Sequence, residues 1–158
     1  MAIKDSFAPE EWIKVVAAPS MAGVAMLAVS PSGLTGLMAE SMATANTMLE
    51  LSASGTTALM QEIHTALKNP PDGLRVKMRW GDVRQAKQQA MTHIAEAVAL
   101  VNATISPEEA QSYRAYLYAV AERVAGAALE GGVLGMGGVR VSEAEQSLLD
   151  EMKTAFRL

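Results

Sequence analysis

The sequence predicts an all-α, single-domain helical bundle of about five or six helices over residues 1–158, with one short extended basic segment at 74–80. Three observations predict it. Hydrophobic residues make up 50% of the chain but aromatic ones only 4%, so the apolar mass is Ala, Met, Val and Leu, which favours close-packed helices over a β-sandwich. Apolar residues recur at steps of three and four through most of the length. Helix-starting signals, Ser-x-x-Glu and first-turn proline among them, precede several of those runs.

The first helix is expected to begin at Pro9, with Glu10 and Glu11 facing the positive end of the helix dipole. Pro19 is expected to end or kink it, and Ser20 to cap a second piece over 21–29. Residues 15–29 are the most membrane-like stretch, but at 15 residues they fall short of the ~20 that span a bilayer, and they read as buried core. Over 34–68, Leu34, Met38, Met42, Ala45 and Leu49 form one apolar stripe, and Leu59, Ile63 and Leu67 resume it. Between them Gly55 and its neighbouring hydroxyls predict a break, with Thr56 or Thr57 capping the next helix.

The turn signal NPPDG (69–73) introduces LRVKMRW (74–80), where Leu74, Val76, Met78 and Trp80 alternate with Arg75, Lys77 and Arg79. Period two means an extended segment with an apolar and a basic face. It needs a pairing partner, either 138–141 or a second copy of the chain. Asp82 and Gln85 then open a helix carrying Val83, Ala86, Ala90, Ile94, Val98, Val101 and Ile105. Ser106, Pro107 and Glu109 form a cap, first-turn proline and capping box for a helix bearing Ala110, Tyr113, Leu117, Val120 and Val124. Gly131 and Gly132 stop that helix, a glycine-rich loop follows to 138, and Ser142 with Glu145 boxes the start of a last helix carrying Leu148, Leu149, Met152 and Phe156.

Several function classes find no support in the residues. With no cysteine, disulfides, Cys-ligated zinc, iron–sulfur clusters and thiol nucleophiles are ruled out, which fits a cytoplasmic, reducing location. The acidic start of the chain (Asp5, Glu10, Glu11) is unlike a signal peptide. A net charge of -4 argues against bulk nucleic-acid binding. GxSxG is absent and nothing in the sequence links a serine to a histidine, so there is no catalytic signature and no cofactor is implied. A metal site from His64, His93, Glu62 and Glu96 is conceivable only if their helices face each other. Met38 and Met42, one turn apart, read as core rather than as ligands for a soft ion. The glycine loop fits neither phosphate-binding pattern, leaving only its exposed amides, Arg140 and the helix start at Ser142 to hold an anion.

The basic cluster departs most from average. Lys68, Arg75, Lys77, Arg79, Arg84 and Lys87 fall within 20 positions around Trp80, out of 13 Lys and Arg in the chain. They suit a docking edge for an acidic protein partner or an anionic ligand, or a solvated edge whose charges discourage aggregation. The candidate partner- or anion-binding residues are therefore Arg75, Lys77, Arg79, Trp80, Arg84 and Arg140.

The stretch RVAGAALEGGVLGMGGVRVSEAEQSLLDEM (123–152) combines a small-residue helix, a Gly-Gly turn, a short extended step, then Ser-x-x-Glu and paired leucines. In these features it resembles the helical hairpins of tellurite-resistance TerB-like domains over about 30 residues, as any well-capped helical hairpin would. Gly137 and Gly138 stand where those domains carry an acidic residue, and helical architecture is all that the resemblance implies.

The leading functional expectation is a non-enzymatic oligomerisation or partner-binding module, most simply a homo-oligomer. It rests on the crowded small and Met residues of 15–60, on the unpaired basic segment and on the missing catalytic signature. The alternative is a small-molecule or anion carrier with a Met-lined interior, its ligand's acidic group held by Arg75, Arg79 or Arg140.

Overall fold

Pro9 occupies the first turn of a helix that does not stop at Pro19. The computed structural model describes residues 1–30, 37–74, 83–130 and 141–158, with side chains for all of these but 37–43, 83 and 127–130. A 3-10 turn (Ile3–Ser6) precedes six α-helices: α1 (Pro9–Val29), α2 (Leu37–Ala53), α3 (Ala58–Lys68), α4 (Val83–Thr104), α5 (Pro107–Glu130) and α6 (Glu143–Phe156). They pack as an all-α bundle, with no strand among the described residues. Residues 75–80 of the expected extended segment lie outside the described residues, as does the glycine loop.

Helix α1 is the centre of the bundle, touching each of the other α-helices and lying longest against α4. It is apolar nearly all round, the pattern of a buried helix. Val15, Val16, Ala18, Ala22 and Ala25 are sealed from solvent. By length and composition α1 alone among the described helices would cross a membrane, with a mean hydropathy of 1.7, and 72% of that stretch is buried inside the bundle.

Pro19 does not end the helix, and a hydrogen bond from elsewhere in the chain serves the carbonyl that it leaves. In an unbroken helix the amide of residue 19 would bond the carbonyl of Val15, but proline has no N–H to give. The Tyr113 hydroxyl donates to that carbonyl instead, at 2.8 Å, from the middle of α5. One turn away, the Ser20 hydroxyl donates back to the Ala17 carbonyl at 2.7 Å rather than capping a new helix. Burial, with a smaller contribution from Tyr116, pushes the Tyr113 phenol well above its ordinary 10.0, so it remains a donor at neutral pH.

Where α1 meets α2 the backbones approach closely. A Cβ on Gly23 would stand 2.6 Å from Cγ2 of Thr44, so only glycine fits. This contact helps to set which face of α2 turns inward, and it is not the expected stripe. Ala45 is exposed and Leu49 only half-buried, whereas Thr44, Thr47 and Ser52 are buried with Met48 and Leu51 beside them. Leu34, Met38 and Met42 of that stripe lie outside the described side chains.

Two carboxylates join segments by gripping successive backbone amides. Glu62 of α3 accepts from the amides of Ile3 and Lys4, both at 2.7 Å, which fastens the N-terminal turn. Glu109 of α5 accepts from Ala58 and Leu59 at 3.2 and 3.0 Å, capping α3 next to its own cap, Thr57. The capping box expected at the start of α5 is thus half formed: Ser106 Oγ accepts from the Glu109 amide at 3.3 Å, but the Glu109 carboxylate is spent on α3. The box at α6 closes as expected, with Glu145 only 2% exposed. The turn before α4 places Gly73 at φ 90°, the left-handed geometry of a type II turn.

Two substitution cycles test these contacts. Tyr113→Phe should cost about 1–3 kcal/mol, because it strands a buried carbonyl. In a Pro19→Ala background, where the restored amide serves Val15, most of that cost should vanish. Additive losses to within ~0.5 kcal/mol in denaturant melts would mean that the two residues are uncoupled. Gly23→Ala should destabilise by about 1–3 kcal/mol through overpacking. Adding Thr44→Ser, which removes the clashing methyl and keeps the hydroxyl, should recover part of the loss in thermal melts.

Candidate functional site

Of the residues singled out for binding, Arg75, Lys77, Arg79, Trp80 and Arg140 lie outside the described residues. Arg84 is exposed in the first turn of α4, and Lys87 one turn on pairs with Glu151 of α6 at 3.2 Å. The structure therefore places the final part of the basic cluster at the N-terminal end of α4.

The two histidines are not brought into one metal site. His93 on α4 lies 3.0 Å through Nε2 from the Lys14 carbonyl of α1. A carbonyl only accepts, so Nε2 carries the proton. His64 on α3 lies 2.8 Å through Nδ1 from the Ser52 hydroxyl of α2. Glu62 is committed to the N-terminal turn and Glu96 to Lys14. Among the described residues no three His, Asp or Glu side chains gather as a metal would require.

The Ser52–His64 pair was invisible in the sequence because the break between α2 and α3 separates the two residues. Only folding the two helices against each other makes them neighbours. Ser52 is 1% exposed and gives its proton to the Leu49 carbonyl at 3.0 Å, so the imidazole donates to the serine oxygen rather than removing a proton from it. Beside it the Tyr116 hydroxyl donates to the Met48 carbonyl at 2.9 Å. Burial raises the Tyr116 phenol far above its ordinary value, against a smaller downward pull from Ser52. Together these contacts tie the last turns of α2 to α3 and α5.

A concave surface lies along the seam of α1 and α4. These helices run antiparallel, since the start of α1 sits beside the end of α4. An ion pair between Lys14 Nζ and Glu96 Oε2, 2.5 Å apart, bridges the seam. On one side opens a cleft of about 480 Å³ lined by Gln85, Gln88, Gln89, Thr92 and His93. On the other opens one of about 580 Å³, floored by Ala99, Leu100 and Ala103 and edged by Glu10 and Glu11. Both share Lys14 and Glu96, so they form one groove divided by the ion pair. The Lys14 hydrogen bond, then its charge and to a lesser degree that of His93, holds the Glu96 carboxyl below its usual range, against some desolvation.

This groove offers amide, hydroxyl and paired charged groups and carries no serine nucleophile. Its lining can donate and accept hydrogen bonds and presents charge of both signs. The buried methionines, Met26, Met60 and Met152 among them, are packed within the core. No family model matches the chain, and no curated protein or solved structure matches it.

The ion pair can be read directly. In an NMR titration Glu96 should titrate below the ordinary 4.5, and Lys14→Met should return it to that range. For a depressed carboxylate the stabilisation is complete above the unfolded-state value and is lost as pH falls through the folded one. The pair should therefore persist at neutral pH and dissolve in acid. A Glu96 midpoint unmoved by Lys14→Met would remove the ion pair as the cause.

Proposed function

We propose that this chain is a non-enzymatic helical binding module that associates with a protein partner through the α1–α4 groove. The carrying observation is the groove itself, two adjoining clefts of about 480 and 580 Å³ joined across the Lys14–Glu96 pair. Small-molecule sites are enclosed and mostly apolar. This groove is open and runs along two helices, with amide and charged side chains edging an apolar floor, the character of a hydrated protein contact. Further support comes from the two histidines, each of which holds a structural hydrogen bond.

The motive for association is also altered. Among the described residues the exposed large apolar side chains are Met1 and Leu158, because α1 buries its apolar surface inside the bundle. Association through the groove is therefore governed by hydrogen bonds and charge, and weakens with salt.

Native mass spectrometry of the purified chain tests the proposal. The expected spectrum shows more than one polypeptide per particle, either copies of this chain or a second protein in fixed ratio, with neither metal nor small molecule retained. A monomer at every concentration, bare or carrying a stoichiometric small-molecule mass, would overturn it.

A further inference from the structure

Resting on the binding-module reading, we infer that the groove's partner is a basic segment of another protein. That segment lays the stem of an Arg or Lys on the floor of Ala99, Leu100 and Ala103, with the charged head against Glu10 and Glu11.

The charges that line the groove are unevenly shared. The cleft of about 580 Å³ is edged by three carboxylates, Glu10, Glu11 and Glu96, against the single ammonium of Lys14. Lys14 is engaged by Glu96. Glu11 accepts at 2.8 Å from the Ala8 amide, a neutral donor, and keeps its charge. Glu10 is exposed, and among the described residues no Lys or Arg pairs with either. Both stand on the first turn of α1, where the helix dipole favours acid, but two carboxylates exceed the roughly half charge that a helix start presents. The same end of the seam receives the end of α4, whose unpaired carbonyls add negative potential and whose last turn holds no basic residue. Arg114 of α5 reaches Asn102 nearby but lines neither cleft.

The floor selects the kind of cation. Ala99 and Ala103 are exposed and Leu100 is half-buried, an apolar strip with carboxylates along its edge. An inorganic cation gains nothing from such a strip, and among the described residues no three His, Asp or Glu side chains gather to hold one. Arg and Lys carry charge at the tip of an apolar stem and suit both parts. Across the ion pair the groove continues through Gln85, Gln88, Gln89 and Thr92, whose amides and hydroxyl can bond donors and acceptors of the partner's backbone. Gln85 to Ala103 covers about 27 Å of α4 at ~1.5 Å per residue, room for about eight extended residues. The groove thus calls for the opposite charge from the acidic partner that the basic cluster suggests.

Amide NMR titration of the full chain with three peptides of about eight residues tests this, one alternating Arg with Ala, one Gln with Ala and one Glu with Ala. Only the Arg peptide should shift the resonances of Glu10, Glu11, Ala99, Leu100 and Ala103, and salt should weaken it. The double variant Glu10→Gln, Glu11→Gln keeps an acceptor for the Ala8 amide and should lower the affinity about three- to tenfold. The double variant Glu108→Gln, Glu143→Gln removes the same charge from exposed first turns outside the groove and should change it less than about twofold. Equal losses in the two variants mean attraction to overall charge and overturn the inference. So do an Arg peptide that leaves the groove resonances still, a Gln or Glu peptide that binds as well, and groove shifts that follow protein concentration alone, which would make a second copy the occupant. In each of these cases a protein partner retained in native mass spectra leaves the binding-module reading intact, and a monomer at every concentration overturns both.

Discussion

Val15 in the central helix has a carbonyl that its own helix cannot satisfy, because the residue four positions on is Pro19. A buried carbonyl left without a donor costs about 1–3 kcal/mol, a large fraction of a domain's net stability. The Tyr113 hydroxyl supplies the donor, and in doing so fixes the rotation and height of α5 against α1. His93 makes a comparable contact from α4 to the adjacent Lys14 carbonyl. The longest neighbours of the central helix are thus registered by side chains that reach its backbone on successive residues. Apolar packing alone is non-directional and would tolerate sliding; these hydrogen bonds would not.

The same economy governs the acidic residues. Glu11, Glu62, Glu109 and Glu145 all accept from backbone amides at the starts of helices or turns. Each neutralises amides that no carbonyl of its own segment can reach, and each adds negative charge where the helix dipole welcomes it. These carboxylates are therefore engaged in holding segments together. The polar groups Ser52, His64 and Tyr116 link the last turns of α2 to α3 and α5.

The seam of α1 and α4 is an open face rather than an enclosed cavity. It keeps an ion pair, several amides and two first-turn carboxylates, on a scaffold held by the backbone contacts beneath it. His93 and Lys14 belong to both levels. The imidazole grips the Lys14 backbone from below while the Lys14 side chain reaches Glu96 above, so the surface chemistry is positioned directly by the register of the core.

The helix-by-helix plan was legible because its causes are local. Cap residues act over three positions and apolar stripes over three or four, so Thr57 and Ser142 announced their helices and Leu148, Leu149, Met152 and Phe156 their buried face. The same reasoning failed at Pro19 and along α2, where the deciding partner comes from far along the chain. Tyr113, 98 residues from Val15, keeps α1 continuous, and Gly23 draws Thr44 inward in place of the more apolar Ala45. The Ser52–His64 contact and the α1–α4 groove have the same origin. By itself the sequence determined the class, a count of about five or six helices and most of their inward faces, since each depends on neighbours within a turn or two. Only the tertiary structure decided which polar groups are consumed and which remain on the surface, because a hydrogen bond between helices depends on distances that no local pattern encodes.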